Sequence, residues 1–130
     1  MDILDALRAD YARFPDAPSY HLYAEDVRFE DPMNRFQGLD RYRAMIGFMT
    51  TWFRDIRLDL HSLARQDEQI TSRWTLSWQA PLPWQPRIRI SGWSELHLNP
   101  AGRIDRHVDY WDCSRLDVLR QHFFPKGFQE

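Results

Sequence analysis

The hydrophobic period of this chain changes once, at Asp55, and that change constrains the fold more than any other feature. Before it, apolar residues recur at helical intervals. Ile3, Leu4, Leu7, Tyr11 and Phe14 form one stripe, with Asp2 placed to cap the helix and Asp5 in its first turn. Pro15 ends that helix. Pro18 suits the first turn of a second, short helix running toward Tyr23, and residues 29–33 read as a short extended piece. Gly38 precedes a longer helix whose apolar residues Leu39, Tyr42, Met45, Ile46, Met49, Trp52 and Phe53 return every three or four positions.

After Asp55 the period is two. Ile56, Leu58 and Leu60 alternate with Arg57, Asp59 and His61. Residues 70–80 set Trp74, Leu76 and Trp78 against Arg73, Thr75 and Ser77, and residues 87–98 set Ile88, Ile90, Leu96 and Leu98 against Arg89, Trp93, Glu95 and His97. Pro81, Pro83 and Pro86 exclude a central strand between these two and predict a stiff connection instead. Asn99-Pro100-Ala101-Gly102 is a tight turn before the last strand, residues 104–112. Ser114 with Asp117 resembles a capping box for a short terminal helix carrying Leu116, Val118, Leu119 and Phe123.

Helices followed by a run of antiparallel strands predict an α+β domain in which helices cover one face of a curved sheet, and such a sheet encloses a pocket. A chain of 130 residues fits one domain, residues 1–130, with no internal repeat or linker. Nineteen acidic against seventeen basic side chains, a net charge of -2, lack the basic excess that displaces counterions from phosphates, so no nucleic-acid partner is expected. No apolar run approaches the roughly 20 residues that span a bilayer. The first residues are acidic where a secretory leader is basic, so the expected location is cytoplasmic, with no membrane partner. A single cysteine, Cys113, leaves no internal disulfide and no cysteine-based zinc site.

Residues 23–48, YAEDVRFEDPMNRFQGLDRYRAMIGF, resemble the signature of the nuclear transport factor 2-like superfamily, which includes ketosteroid isomerases, scytalone dehydratase and SnoaL-like polyketide cyclases. Its parts are a helix ending in YA-(E/D)-D, a short strand ending in E-D-P, and a G-x-(D/E) helix start. Over the whole length the chain is similar to an uncharacterised SnoaL-like family of cyanobacteria, plants and other bacteria. That likeness runs through FEDPMNRFQGLDRYRAMI (29–46), PRIRISGWSELHLNPAGRI (86–104) and HVDYWDCSRLDVLRQHFF (107–124). The resemblance implies a cone-like curved mixed sheet wrapped around the N-terminal helices, and an apolar cavity opening at the wide end. It also implies a homodimer through the outer sheet face, and chemistry that needs neither metal nor cofactor.

Carried over residue by residue, the resemblance puts Asp31 at the proton-shuttling base of the isomerases, Ser94 at their pocket carboxylic acid and Trp111 at their pocket tryptophan. Serine is a weaker donor than a neutral carboxylic acid in an apolar site, so ketosteroid isomerisation itself is not expected. By the period of two, His107 and Asp109 share a face with Trp111, while Val108, Tyr110 and Asp112 face away. Two readings follow. In the first the chain is a metal-independent isomerase or lyase of isomerase, cyclase or dehydratase type. Asp31 moves the proton, His107 and Asp109 act as partner acid and orienter, and Met49, Trp52, Trp78, Ser94 and Trp111 hold a small, largely apolar ligand. In the second it is a non-catalytic ligand-binding or assembly module, and fold alone does not choose between them.

Overall fold

The computed structural model describes residues 2–123. Helix α1 (Ile3–Arg13) starts where the Asp2 carboxylate accepts the Leu4 amide, and it buries Leu7. One 3-10 turn, Tyr20–Leu22, leads directly into strand β1 (Tyr23–Glu30). The second helix is therefore a single turn, and the strand begins at Tyr23 instead of Phe29. Glu25 and Asp26 explain the difference: two exposed residues in succession, at a shift in the strand's register, break the alternation of Tyr23, Val27 and Phe29 that marks a half-buried strand. After β2 (Arg35–Gln37), Gly38 turns the chain at φ +112, a conformation open chiefly to glycine, into helix α2 (Leu39–Trp52).

Four strands and a helix follow: β3 (Arg54–Gln66), β4 (Gln69–Gln79), β5 (Arg87–Leu98), β6 (Ile104–Trp111) and α3 (Arg115–Phe123). The third strand outruns its predicted end because a register shift between Leu60 and Ser62 hides the continuing alternation. The six strands form one curved mixed sheet, ordered β2-β1-β6-β5-β4-β3, in which only β1 and β6 run parallel. This is the α+β architecture expected from the sequence.

Two apolar clusters fill the covered face. In the first, Leu7 of α1 and Tyr42 and Ile46 of α2 meet Val27, Phe29, Ile70 and Leu96 of the sheet. The second lies farther along β4 and β5, where Trp74, Trp78, Ile88 and Ile90 are joined by Tyr11, Phe53 and Trp111. Burying side chains of this size contributes about 1.5–3 kcal/mol each, so the aromatic wealth of the chain goes into its core. Gly92 pairs with both Trp74 and Trp111, and the Tyr110 backbone and the Trp74 ring leave no room for a side chain there.

Helix α3 opens on the capping box read from the sequence: the Asp117 amide donates to Ser114 Oγ at 3.1 Å and the Ser114 amide to the Asp117 carboxylate at 3.0 Å. Those bonds hold the Asp117 carboxyl below its ordinary pKa. The helix is fastened to the open edge of β5 by Gln121, whose amide both accepts from the Arg89 N–H (2.6 Å) and donates to its carbonyl (2.9 Å). That side chain takes the place of a neighbouring strand. Trp84 of the proline-rich connection donates its indole N–H to the His122 carbonyl at 2.6 Å and folds back on α3, although its ring stays half exposed. Among the described residues no helix is long and apolar enough to cross a membrane.

Candidate functional site

A polar row crosses the sheet between the two apolar clusters. Ser72 on β4 stands beside Ser94 on β5, and Ser94 beside Asp109 on β6. The two serines are 0% and 2% exposed, at positions in phase with Ile70 and Trp74 on one strand and Leu96 on the next. Buried hydroxyls and carboxylates cost free energy unless they are bonded, so the bonds of this row decide what it can do.

Every member is bonded. Tyr11 of α1 reaches Ser72 hydroxyl to hydroxyl at 2.8 Å. The Trp74 indole N–H donates to Ser94 Oγ at 2.8 Å, which leaves the Ser94 hydroxyl to donate to Asp109 Oδ1 at 2.5 Å. His107 places Nε2 2.7 Å from the same Oδ1 and Nδ1 3.4 Å from the Tyr23 hydroxyl, which lies 3.3 Å from that of Tyr42. One arrangement of protons satisfies the chain: Tyr42 donates to Tyr23, Tyr23 to His107 Nδ1, and His107 Nε2–H to Asp109. The imidazole is 93% buried and packed between Phe29 (ring centroids 4.9 Å apart) and Tyr42 (5.9 Å), so its ring is fixed. Both donors converge on Oδ1. Asp109 Oδ2 bonds to no described residue, and the Asp109 side chain keeps 19% of its surface accessible.

The phenols around this carboxylate are held neutral. Burial, opposed by the Ser72 bond and reinforced by the Asp109 charge, pushes Tyr11 up to about 12. Burial raises Tyr23 and Tyr42 as well. A raised folded-state pKa contributes stability that is complete below the ordinary phenol value and is lost as pH rises through the folded one. Tyrosine absorbance during an alkaline titration should therefore show Tyr11, Tyr23 and Tyr42 ionising only together with unfolding, between about pH 10 and 12. Ordinary ionisation of all five tyrosines in the folded protein would contradict this burial.

The structure joins His107, Asp109 and Ser94, three of the residues singled out from the sequence. Asp31 shares no hydrogen bond with them: in the turn after β1, Oδ1 accepts the Met33 amide at 2.8 Å, the Asn34 amide at 2.6 Å and the Asn34 side chain at 3.1 Å, while Oδ2 receives only the Asn34 side chain, at 3.2 Å. Burial nevertheless raises the Asp31 carboxyl, and the Asp109 charge adds to the rise. Trp78 and Trp111 belong to the second cluster and Met49 packs against the first. Trp52 lies outside both and is 53% exposed. It follows Ile46 by six residues, which places it about 120° around the helix from that buried position. Among the described residues, no three His, Cys, Asp or Glu side chains are grouped to hold a metal ion.

Sequence reading passed over Tyr11, Ser72, Trp74, Tyr23 and Tyr42 as site residues. A signal was present for Ser72, a small polar residue in the apolar phase of an alternating strand. The phenols carry no such mark, because a tyrosine in an apolar stripe reads as core.

Over residues 1–107 the chain matches the family described as Uncharacterized conserved protein (DUF2358). No curated protein matches it. Solved structures share its fold: a putative polyketide cyclase from Pseudomonas putida (TM-score 0.75, 18% identity, covering 93% of this chain and 98% of that one) is one. Another is a protein of ketosteroid isomerase-like fold from Catenulispora acidiphila in complex with trimethylamine (0.74, 16%, 97% and 95%). An epoxide hydrolase of M. tuberculosis is similar as well (0.70, 16%, 91% and 86%).

Proposed function

From the premise that the chain belongs to the uncharacterized conserved protein family DUF2358 and has the nuclear transport factor 2-like fold, we propose that it is a cofactor-independent acid–base enzyme acting on a small, largely apolar molecule. The observation that carries this reading is Asp109, whose Oδ1 is loaded with two donors while Oδ2 is left open. Ser94 and His107 fix the carboxylate's direction, and a base held in one orientation loses no entropy in finding its proton. Oδ2 takes a proton from an activated carbon of the substrate; Tyr11, kept neutral by burial, supplies an O–H donor on the same polar row. In this reading His107 is a positioning residue, since both its ring nitrogens are engaged inside the protein. Asp31 is the second carboxylate of the site, its Oδ2 the less committed oxygen. Isomerase, cyclase and dehydratase reactions that pass through a carbanion or enolate begin with such a proton transfer.

A second reading, the non-catalytic binding or assembly module, draws support from Asp31, whose bonds all go to its own turn. Proton abstraction from 5-nitrobenzisoxazole separates the two. A base removes the ring C–H proton, the N–O bond breaks and a cyanophenolate forms, so the reaction reports a positioned carboxylate with no knowledge of the natural substrate. The enzyme reading expects turnover well above that of acetate at equal concentration; a rate no higher than acetate's supports the module.

The reading also includes a second copy of the chain, docked on the outer face of the sheet. There Trp93 stacks on Tyr110 with ring centroids 5.0 Å apart and the Arg73 guanidinium lies 5.6 Å over the Trp93 ring, an aromatic surface suited to an isologous contact. Light scattering at micromolar concentration should give twice the chain mass, and a monomer there would remove this part of the reading.

A further inference from the structure

Two tryptophans of β4, four residues apart on one face, differ in a way that bears on ligand recognition. The indole N–H of Trp74 is spent on Ser94. That of Trp78 has no partner: it is the one buried side-chain polar atom among the described residues left without a hydrogen bond, on a residue 93% buried. A buried donor without an acceptor keeps its desolvation cost uncompensated, and native proteins leave few such groups. Phe53 does not serve, because its ring lies flat against the indole (centroids 4.7 Å apart, 9° between planes), whereas an indole N–H points outward in its own plane.

The surroundings of Trp78 are aromatic out to the surface. Phe48 and Trp52 stand exposed at the end of α2, with ring centroids 6.5 Å apart. Phe48 meets Phe53 edge to face at 6.0 Å, and Phe53 covers Trp78. A continuous series of rings thus runs from solvent to the face of the Trp78 indole, beside Trp111, Leu82 and Val118 of the second apolar cluster. A charged group entering such a cluster would pay heavily in desolvation, so the fitting partner is neutral. Measured along β4, Trp78 lies six residues from the polar row at Ser72, roughly 20 Å away, so this is a separate end of the covered face.

We propose that Trp78 is the orienting donor of a ligand subsite, and that the ligand is an uncharged, flat apolar molecule presenting a carbonyl or ether oxygen to the indole N–H. The inference rests on the reading that the covered face takes a small molecule, but it does not depend on which residue moves the proton.

Acetophenone and its isostere α-methylstyrene, which carries a methylene where the ketone has oxygen, are the probes. In 1H–15N spectra acetophenone should move the Trp78 indole N–H resonance downfield, and α-methylstyrene should not. Trp78→Phe should weaken acetophenone about fivefold, the worth of one neutral hydrogen bond, and leave α-methylstyrene within about twofold. The spectra of the unaltered protein decide the matter even where the variant fails to fold. Equal losses for both probes, an unmoved Trp78 signal, or no binding of either probe up to its solubility would overturn the proposal. Asp109→Asn should leave the acetophenone shift in place, so a failure here stays distinct from a failure of the proton-transfer site.

Discussion

Asp109→Asn should lower the rate of proton abstraction from 5-nitrobenzisoxazole by about 10²–10⁴-fold, the range a positioned general base contributes. The substitution is nearly isosteric, and its amide oxygen can still accept from Ser94 and His107, so the polar row keeps its donors and its acceptor. What disappears is the basic lone pair on the open side. The unfolding midpoint should therefore move little while the rate collapses. Asp31→Asn is the comparison that gives this meaning: both oxygens of that carboxylate are already bonded within its own turn and neither is open to a substrate, so its loss should cost less than about tenfold. If Asp31→Asn abolishes turnover and Asp109→Asn spares it, the roles are reversed and the base is the residue that the superfamily resemblance first indicated.

Gly92→Ala should destabilise the fold by about 3 kcal/mol or more, measured by chemical denaturation. An added Cβ would overlap the Tyr110 carbonyl oxygen and come within 3.2 Å of the Trp74 ring. The first contact is with backbone, which cannot turn aside as a flexible side chain could. Relief requires β5 and β6 to part, and these strands carry Ser94 and Asp109, two residues from Gly92 and from its partner Trp111 respectively. A loss under about 1 kcal/mol would mean the strands have more freedom here than their register implies.

How far the sequence led can be judged from these same strands. Helix α2, strands β4 and β5 and the terminal capping box are legible because each has a clear period or a defined cap. Strand β1 is not, since Glu25 and Asp26 interrupt its alternation and the preceding residues imitate a helix start. The face shared by His107, Asp109 and Trp111 followed from period two alone, and the structure keeps His107 and Asp109 in contact. The rest of the site could not be read that way. Tyr11 meets Ser72 across 61 positions of sequence, and Tyr23 meets His107 across 84; such pairings depend on how helix and sheet close on each other. Trp52 illustrates the converse: it fits the three-and-four spacing of α2, yet its angle around the helix turns it to solvent.

If Asp109 is the base, His107 donates a hydrogen bond from Nε2–H to it, and Asp109 is a carboxylate with one oxygen held and the other open. Nitrogen NMR of the His107 ring reads that proton directly. The expected result is a proton on Nε2, hydrogen-bonded and slow to exchange, with the Tyr23 hydroxyl at Nδ1. A ring protonated on Nδ1 alone, with Nε2 bare, would contradict it, because Asp109 would then have to be the donor in that 2.7 Å contact and would hold no base to offer a substrate.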